Sequence, residues 1–301
     1  VEGLLERLRK DEVLVGDGAW GTELMKRGLP AGRPPEWFAL ERPEVIEQVA
    51  RLYVEAGADL VTTDTFGGSA FRLRLHGLED RLVEVNRGAV EAVRRAGAGR
   101  ALVSASVGPS GQLLEPHGDT SPEAVEQAFA AQIEALASAG PDVLCIETMS
   151  DLTEATRAVR AAKAVAPRLP VMATMTFEPT PRGYFTVMGV SVEKAMAGLE
   201  AAGADVVGSN CGTGIEDMIG VAATIARATR LPVLVQPNAG LPQSHAGETV
   251  YRETPGEMAS HVAELLDLGV SIVGGCCGTT PDHVRALRQA VDAWRSRPRS
   301  G

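Results

Sequence analysis

The stretch Ala201-Ala202-Gly203-Ala204-Asp205-Val206-Val207-Gly208-Ser209-Asn210-Cys211-Gly212 sets the reading of the whole chain. Its first part reads as the end of a helix, because glycine readily takes the left-handed conformation that closes one. Asp205 then turns the chain into a short apolar run that reads as a strand. The run ends in Ser, Asn, Cys and Gly. The same phrase occurs at Glu55-Ala-Gly-Ala-Asp59 and Ser138-Ala-Gly-Pro-Asp142, each time before another such run.

Working outward, eight runs rich in Val, Ile, Leu and Thr recur: Val13–Asp17, Asp59–Phe66, Ala101–Val107, Asp142–Thr148, Val171–Phe177, Asp205–Cys211, Val233–Asn238 and Ser271–Cys276. Near-continuous apolar strands alternating with helical patterns indicate a parallel sheet with helices over its outer face. Helix starts are marked by Ser121-Pro122-Glu123 and Thr280-Pro281-Asp282, each placing a capping residue before Pro, and by Pro43. An open doubly wound sheet would need a Gly-rich phosphate turn leading into a helix, and the chain has none. Eight βα units therefore read as a single-domain α/β protein, a closed (β/α)8 TIM barrel over residues 1–301. Glu178–Val190 is the one long stretch without a clear pattern.

Composition narrows the function. Lys and Arg total 29 against 39 Asp and Glu, for a net charge of −10, which suits neither nucleic acid nor an anionic membrane. No apolar run approaches the roughly 20 residues of a membrane span, and the start of the chain lacks a signal-like core. Four cysteines in 301 residues make no disulfide scaffold, so reduced thiols and a cytoplasmic setting are expected.

Barrel chemistry sits where the strands end, and the polar residues collect there: Asp17, Thr62–Thr65, Ser104–Ser106, Glu147, Asn210–Cys211, Asn238 and Cys276–Cys277. Alternation along the strands puts Val13, Val15 and Asp17 on one face, likewise Val143, Cys145 and Glu147, and Val207, Ser209 and Cys211. We expect these faces to point at the barrel axis, with Cys145 as filling. Cys277 reaches the axis only if the pleat breaks, which Gly275 and Gly278 permit. Cys211, Cys276 and Cys277 then converge as an open zinc site. Three thiolates leave the unit anionic and a weak Lewis acid, suited to keeping a fourth, substrate thiolate nucleophilic. Alkyl transfer to a thiol follows.

The segments Asp17-Gly-Ala-Trp-Gly-Thr22, Thr65-Phe-Gly67, Val107-Gly-Pro109, Glu147-Thr148, Asn210-Cys211 and Gly274-Gly-Cys-Cys-Gly-Thr-Thr-Pro281 closely resemble the zinc-dependent homocysteine S-methyltransferases. The opening looks most like the homocysteine module of cobalamin-dependent methionine synthase. The resemblance implies a methyltransferase of methionine biosynthesis with Cys211, Cys276 and Cys277 as catalytic zinc ligands. It implies that Glu147 holds the substrate amino group, that the Asp17-Gly18-Ala19 turn and Thr65 bind the amino acid, and that Asn238 fills the fourth zinc position before substrate arrives. The donor it implies is methylcobalamin on a partner protein or domain. Other donors (S-methylmethionine, S-adenosylmethionine), a corrinoid-linked enzyme with another acceptor, and a non-catalytic barrel stapled by zinc remain open. Asp64 stands where the family usually has Asn. His117 and His245 fall in loops at the strand ends, and His76, His261 and His283 read as outer-face residues.

Overall fold

The computed structural model describes residues 2–245 and 248–297. The ends of the expected domain, residue 1 and residues 298–301, lie outside them. All eight expected strands form: β1 Leu14–Val15, β2 Leu60–Thr62, β3 Leu102–Val107, β4 Val143–Met149, β5 Val171–Met175, β6 Val206–Asn210, β7 Val233–Gln236 and β8 Val270–Val273. They pair in parallel in the order β1-β8-β7-β6-β5-β4-β3-β2. Helices lie between successive strands, so the sheet curls into a nearly closed (β/α)8 barrel.

The repeated Ala-Gly-Ala-Asp phrase works as read, with an addition. Gly57 and Gly203 close their helices in the left-handed region, at φ +100° and +105°. Each following aspartate then extends the sheet with its side chain. Asp59 Oδ2 accepts from the Val15 N–H at 2.9 Å, Asp142 Oδ2 from Val103 at 2.8 Å and Asp205 Oδ2 from Val171 at 2.8 Å. Asp59 acts at the β1–β2 seam, where the ladder is incomplete. Its own N–H donates to Val15 O at 2.7 Å. At the other end of that seam Asp17 Oδ2 accepts from the Thr62 N–H at 2.7 Å. Two aspartates thus close the barrel where backbone pairing does not.

The interior is layered. Leu14, Leu60, Leu102, Val143, Met172, Val206, Leu234 and Ile272, one residue per strand, pack with Cys145 and with Leu4 and Leu8 of the N-terminal helix Leu4–Arg9. A larger apolar layer, including Val15, Val103 and Val207, lies between strands and helices. Cys145 is barrel filling, as expected. The face assignment of two strands needs correction: Leu14 and Val206 point inward, while Val13, Val15 and Val207 face the helices. Asp17 and Cys211 still reach the barrel mouth because their strands end before them, at Val15 and Asn210. The backbone of Cys211 then turns into the left-handed region at φ +62°.

Helices Pro43–Ala56, Pro122–Ser138 and Pro281–Arg295 start at the expected prolines, and Ser121 Oγ accepts from the Ala124 N–H at 3.2 Å. The patternless stretch folds as an antiparallel hairpin, Glu178–Thr180 with Gly183–Phe185. Its Tyr184 ring packs on helix Ile215–Ala228 where Gly220 leaves room. Such pairing depends on a distant helix, so no local period betrays it. Among the described residues no helix is long and apolar enough to cross a membrane.

Candidate metal centre and substrate pocket

Above the apolar layer the inward positions become polar. Ser106 from β3, Glu147 from β4, Thr174 from β5 and Asn210 from β6 form one connected layer, with Asp17 beside it. Over them stand the three cysteines. β8 ends at Val273, so Gly274–Gly278 leaves the pleat and both Cys276 and Cys277 turn toward Cys211. The three sulfurs lie within 4.8 Å of one another. The expected break at the flanking glycines is real. A side chain at Gly275 would meet Thr279 Oγ1 at 2.4 Å, and one at Gly278 (φ +81°) would meet the Tyr251 ring at 2.2 Å.

The triangle fits zinc. Tetrahedral Zn–S bonds of about 2.3 Å place sulfurs about 3.8 Å apart, and Cys211 and Cys277 are separated by 3.9 Å. Contacts among the three sulfurs hold the Cys211 thiol below the usual thiol range and push the other two up.

The loops bearing the thiols are tied together. Cys277 N–H donates to Asn238 Oδ1 at 3.1 Å, and Asn238 also hydrogen-bonds toward the Cys211 sulfur. Ala239 N–H donates to Cys277 O at 2.9 Å, and Glu253 N–H to Ala239 O at 3.1 Å. His283 corrects its expected placement: it is buried, not on the outer face. Thr280 N–H donates to its Nδ1 at 3.1 Å, so Nε2 carries the proton and donates to Glu253 O at 3.0 Å. That bond reaches from the helix after Cys277 to the segment after β7, which the helical pattern alone could not reveal. Tyr251 lies over Gly278, its hydroxyl toward Cys277. Burial, and behind it the negative thiol cluster, push the Tyr251 phenol up to about 12.

Two carboxylates face this cluster. Burial pushes Glu147 up to about 7, against a hydrogen bond donated by Ser106 Oγ, and the other charges acting on it, Asp17 and Cys211, are both anionic. Burial pushes Asp17 up to about 6. Its oxygens accept from Trp20 Nε1 at 2.8 Å, Thr62 N–H at 2.7 Å and Thr62 Oγ1 at 2.9 Å. Ala19 N–H donates to Thr279 Oγ1 at 3.1 Å and Ala19 O accepts from Tyr53 at 2.7 Å. A side chain at Gly18 would sit 2.7 Å from Thr279 Oγ1. The turn is therefore packed directly against the segment bearing Cys276 and Cys277. Thr65 is fully buried and donates to Ser106 O at 2.7 Å, one layer behind Glu147.

Asn210 was visible in the sequence only as part of a motif. Alternation from the wrong starting face hid its inward orientation; counting from Val206 finds it. Asp64 does not face the thiols. It is buried, pushed well up by burial and then by the charge of Glu36, and among the described residues its Oδ2 has no hydrogen-bond partner.

A family model described as homocysteine S-methyltransferase matches residues 14–291. The chain belongs to the homocysteine S-methyltransferase family and is a methyltransferase of that class. It is 36% identical over 307 residues to a methionine synthase of Mycobacterium leprae, covering 96% of this chain and 25% of that protein. To a methionine synthase of Mycobacterium tuberculosis it is 34% identical, covering 93% and 24%. The chain thus spans about a quarter of the length of these relatives. Among solved structures it superposes on the homocysteine methyltransferase MmuM of Escherichia coli in its metallated form. The TM-score is 0.79 at 25% identity, over 94% of this chain and 98% of that one.

Proposed function

We propose that this barrel transfers a methyl group to the thiol of homocysteine, giving methionine, with zinc held by Cys211, Cys276 and Cys277. The observation that carries this reading is the pairing of three converging sulfurs with a half-buried carboxylate, Glu147, whose charged neighbours, Asp17 and Cys211, are both anionic. A thiophilic centre beside an uncompensated carboxylate suits a ligand carrying both a thiol and an ammonium group.

When bound, zinc supplies a position that takes a thiol as its thiolate near neutral pH. The chain's own residues do the rest. Glu147, with Asp17 behind it, receives the ammonium group, and Ser106 and Asn210 keep the Glu147 oxygens in place. The Asp17-Gly18-Ala19 turn lies where the amino acid end of the ligand sits, and Thr65 supports Ser106 from behind. Asn238, tied to the Cys277 backbone, would hold the metal together with the three cysteines. The substrate sulfur forms its bond to the methyl carbon as the donor–methyl bond breaks, its electron pair leaving with the donor. No general base at carbon is required.

We assign the donor as a methyl-corrinoid on another protein or domain, on the likeness to methionine synthases at 34–36% identity, and place the protein in the cytoplasm, where its thiols stay reduced. The test is turnover of homocysteine by zinc-loaded protein with methylcobalamin, S-methylmethionine, S-adenosylmethionine and betaine side by side. Methionine should form with methylcobalamin. Preference for another donor would move the donor assignment, and no methionine from any of them would end the reading.

A further inference from the structure

We propose that Asn210 is a positioning residue for amino-acid recognition: its side-chain N–H holds the Glu147 carboxylate ready for the ammonium group of the thiol substrate. This rests on the homocysteine reading above. Asn210 is the last inward residue of β6 and is 1% exposed. Its amide orientation follows from chemistry. The Thr148 backbone N–H can only donate, and it reaches one end of the amide at 2.8 Å; that end is the carbonyl oxygen. Thr174 Oγ1 donates to the same oxygen at 2.7 Å. The amide nitrogen therefore faces the other way, toward Thr148 Oγ1 at 2.7 Å, Glu147 Oε2 at 3.4 Å and Cys276 Sγ at 3.8 Å.

An amide has two N–H bonds. One serves the Thr148 hydroxyl, leaving the second for the gap between Glu147 and Cys276. The local backbone bears the mark of this arrangement. Thr148 sits in the left-handed region at φ +61°, an unfavourable place for a β-branched residue. Asn210 grips it there at both its N–H and its hydroxyl. The residue after Glu147 is thus pinned, and Glu147 itself is held at Oε1 by Ser106 and at Oε2 by Asn210. A carboxylate fixed at both oxygens, with anions as its charged neighbours, is preorganised for an incoming cation. A residue that merely fills the core would affect every ligand alike; a residue that acts through Glu147 affects only ligands carrying the amino group.

The experiment titrates zinc-loaded protein calorimetrically with homocysteine and with 4-mercaptobutyrate, the same thiol acid without the amino group. The proteins are wild type, Asn210→Asp, Asn210→Ala, Glu147→Gln and the N210D/E147Q double variant, each with zinc content measured first. N210D keeps the side-chain volume and the accepting oxygen, replaces the N–H donor and adds a negative charge beside Glu147, so N210A, which removes the donor without adding charge, is measured alongside it. It should retain zinc, lose about tenfold in homocysteine affinity and stay within about twofold of wild type for 4-mercaptobutyrate. In the E147Q background it should add no further loss, because the two residues act as one unit. Unchanged homocysteine binding, equal losses for both ligands, additive losses in the double variant, or loss of zinc would each overturn the role given to Asn210. If N210D does not fold, N210A is read by the same criteria. Wild-type protein that binds no homocysteine would overturn the underlying reading as well, and that result is seen before any variant is compared.

Discussion

Glu147→Gln should make the protein more stable and less able to bind substrate. Burial holds the Glu147 carboxyl near 7 where an ordinary one is 4.5. Its ionised form is therefore disfavoured in the folded state. Because the folded value is raised, the stability this group allows is fully present below pH 4.5 and is lost as pH rises through about 7. At about 1.4 kcal/mol per pH unit the full displacement is about 3 kcal/mol. Glu147 is half-buried and opens on the pocket, so solvent screening reduces the expected gain to roughly 1–2 kcal/mol at pH 8. Glutamine removes the charge yet can satisfy both neighbours, its oxygen toward Asn210 and its NH2 toward the Ser106 hydroxyl. Urea denaturation of metal-free wild type and E147Q from pH 4 to pH 8 measures the difference directly. The two curves should converge at the acid end and separate steadily above pH 5, E147Q being the more stable. A constant difference across the range, or a less stable variant at pH 8, would refute the argument that burial of this carboxylate costs folding energy. The same variant should bind homocysteine about 10–100-fold more weakly.

Other consequences follow from the same geometry. Cys211→Ser should weaken zinc retention at least about 100-fold in a chelator competition and remove methyl transfer with it. Gly278→Ala forces a side chain to within 2.2 Å of the Tyr251 ring at φ +81° and should cost about 2–3 kcal/mol in urea denaturation, with faster zinc loss from the displaced loop. Asp64→Asn supplies an N–H beside Glu36 and removes a charge that burial disfavours. It should stabilise by about 1–2 kcal/mol above neutral pH, and the gain should vanish below about pH 4, where Asp64 is protonated in both states.

The sequence carried the barrel because each strand is announced by local chemistry. A glycine closes the preceding helix, an aspartate follows, and that aspartate bonds the neighbouring strand. The three cysteines were legible for a related reason: they stand at strand ends, and the glycines beside Cys276 and Cys277 allow the chain to leave its pleat. What local pattern misjudged was which face of a strand turns inward. β1 and β6 are too nearly uniform in apolar character for alternation to choose a side, so the pattern turns Leu14 and Val206 toward the helices and hides the inward Asn210. His283, Tyr251 and the Glu178–Phe185 hairpin were hidden because their partners, Glu253, Gly278 and Gly220, lie far along the chain.

The central claim is that Cys211, Cys276 and Cys277 form an open thiophilic centre whose remaining position takes the substrate sulfur. X-ray absorption at the zinc edge, on zinc-loaded protein before and after addition of homocysteine, tests it most directly. Three sulfur neighbours at about 2.3 Å with one lighter atom are expected, changing to four sulfurs when homocysteine is added. Three sulfurs unchanged by homocysteine would contradict it and make the metal a staple of the barrel instead.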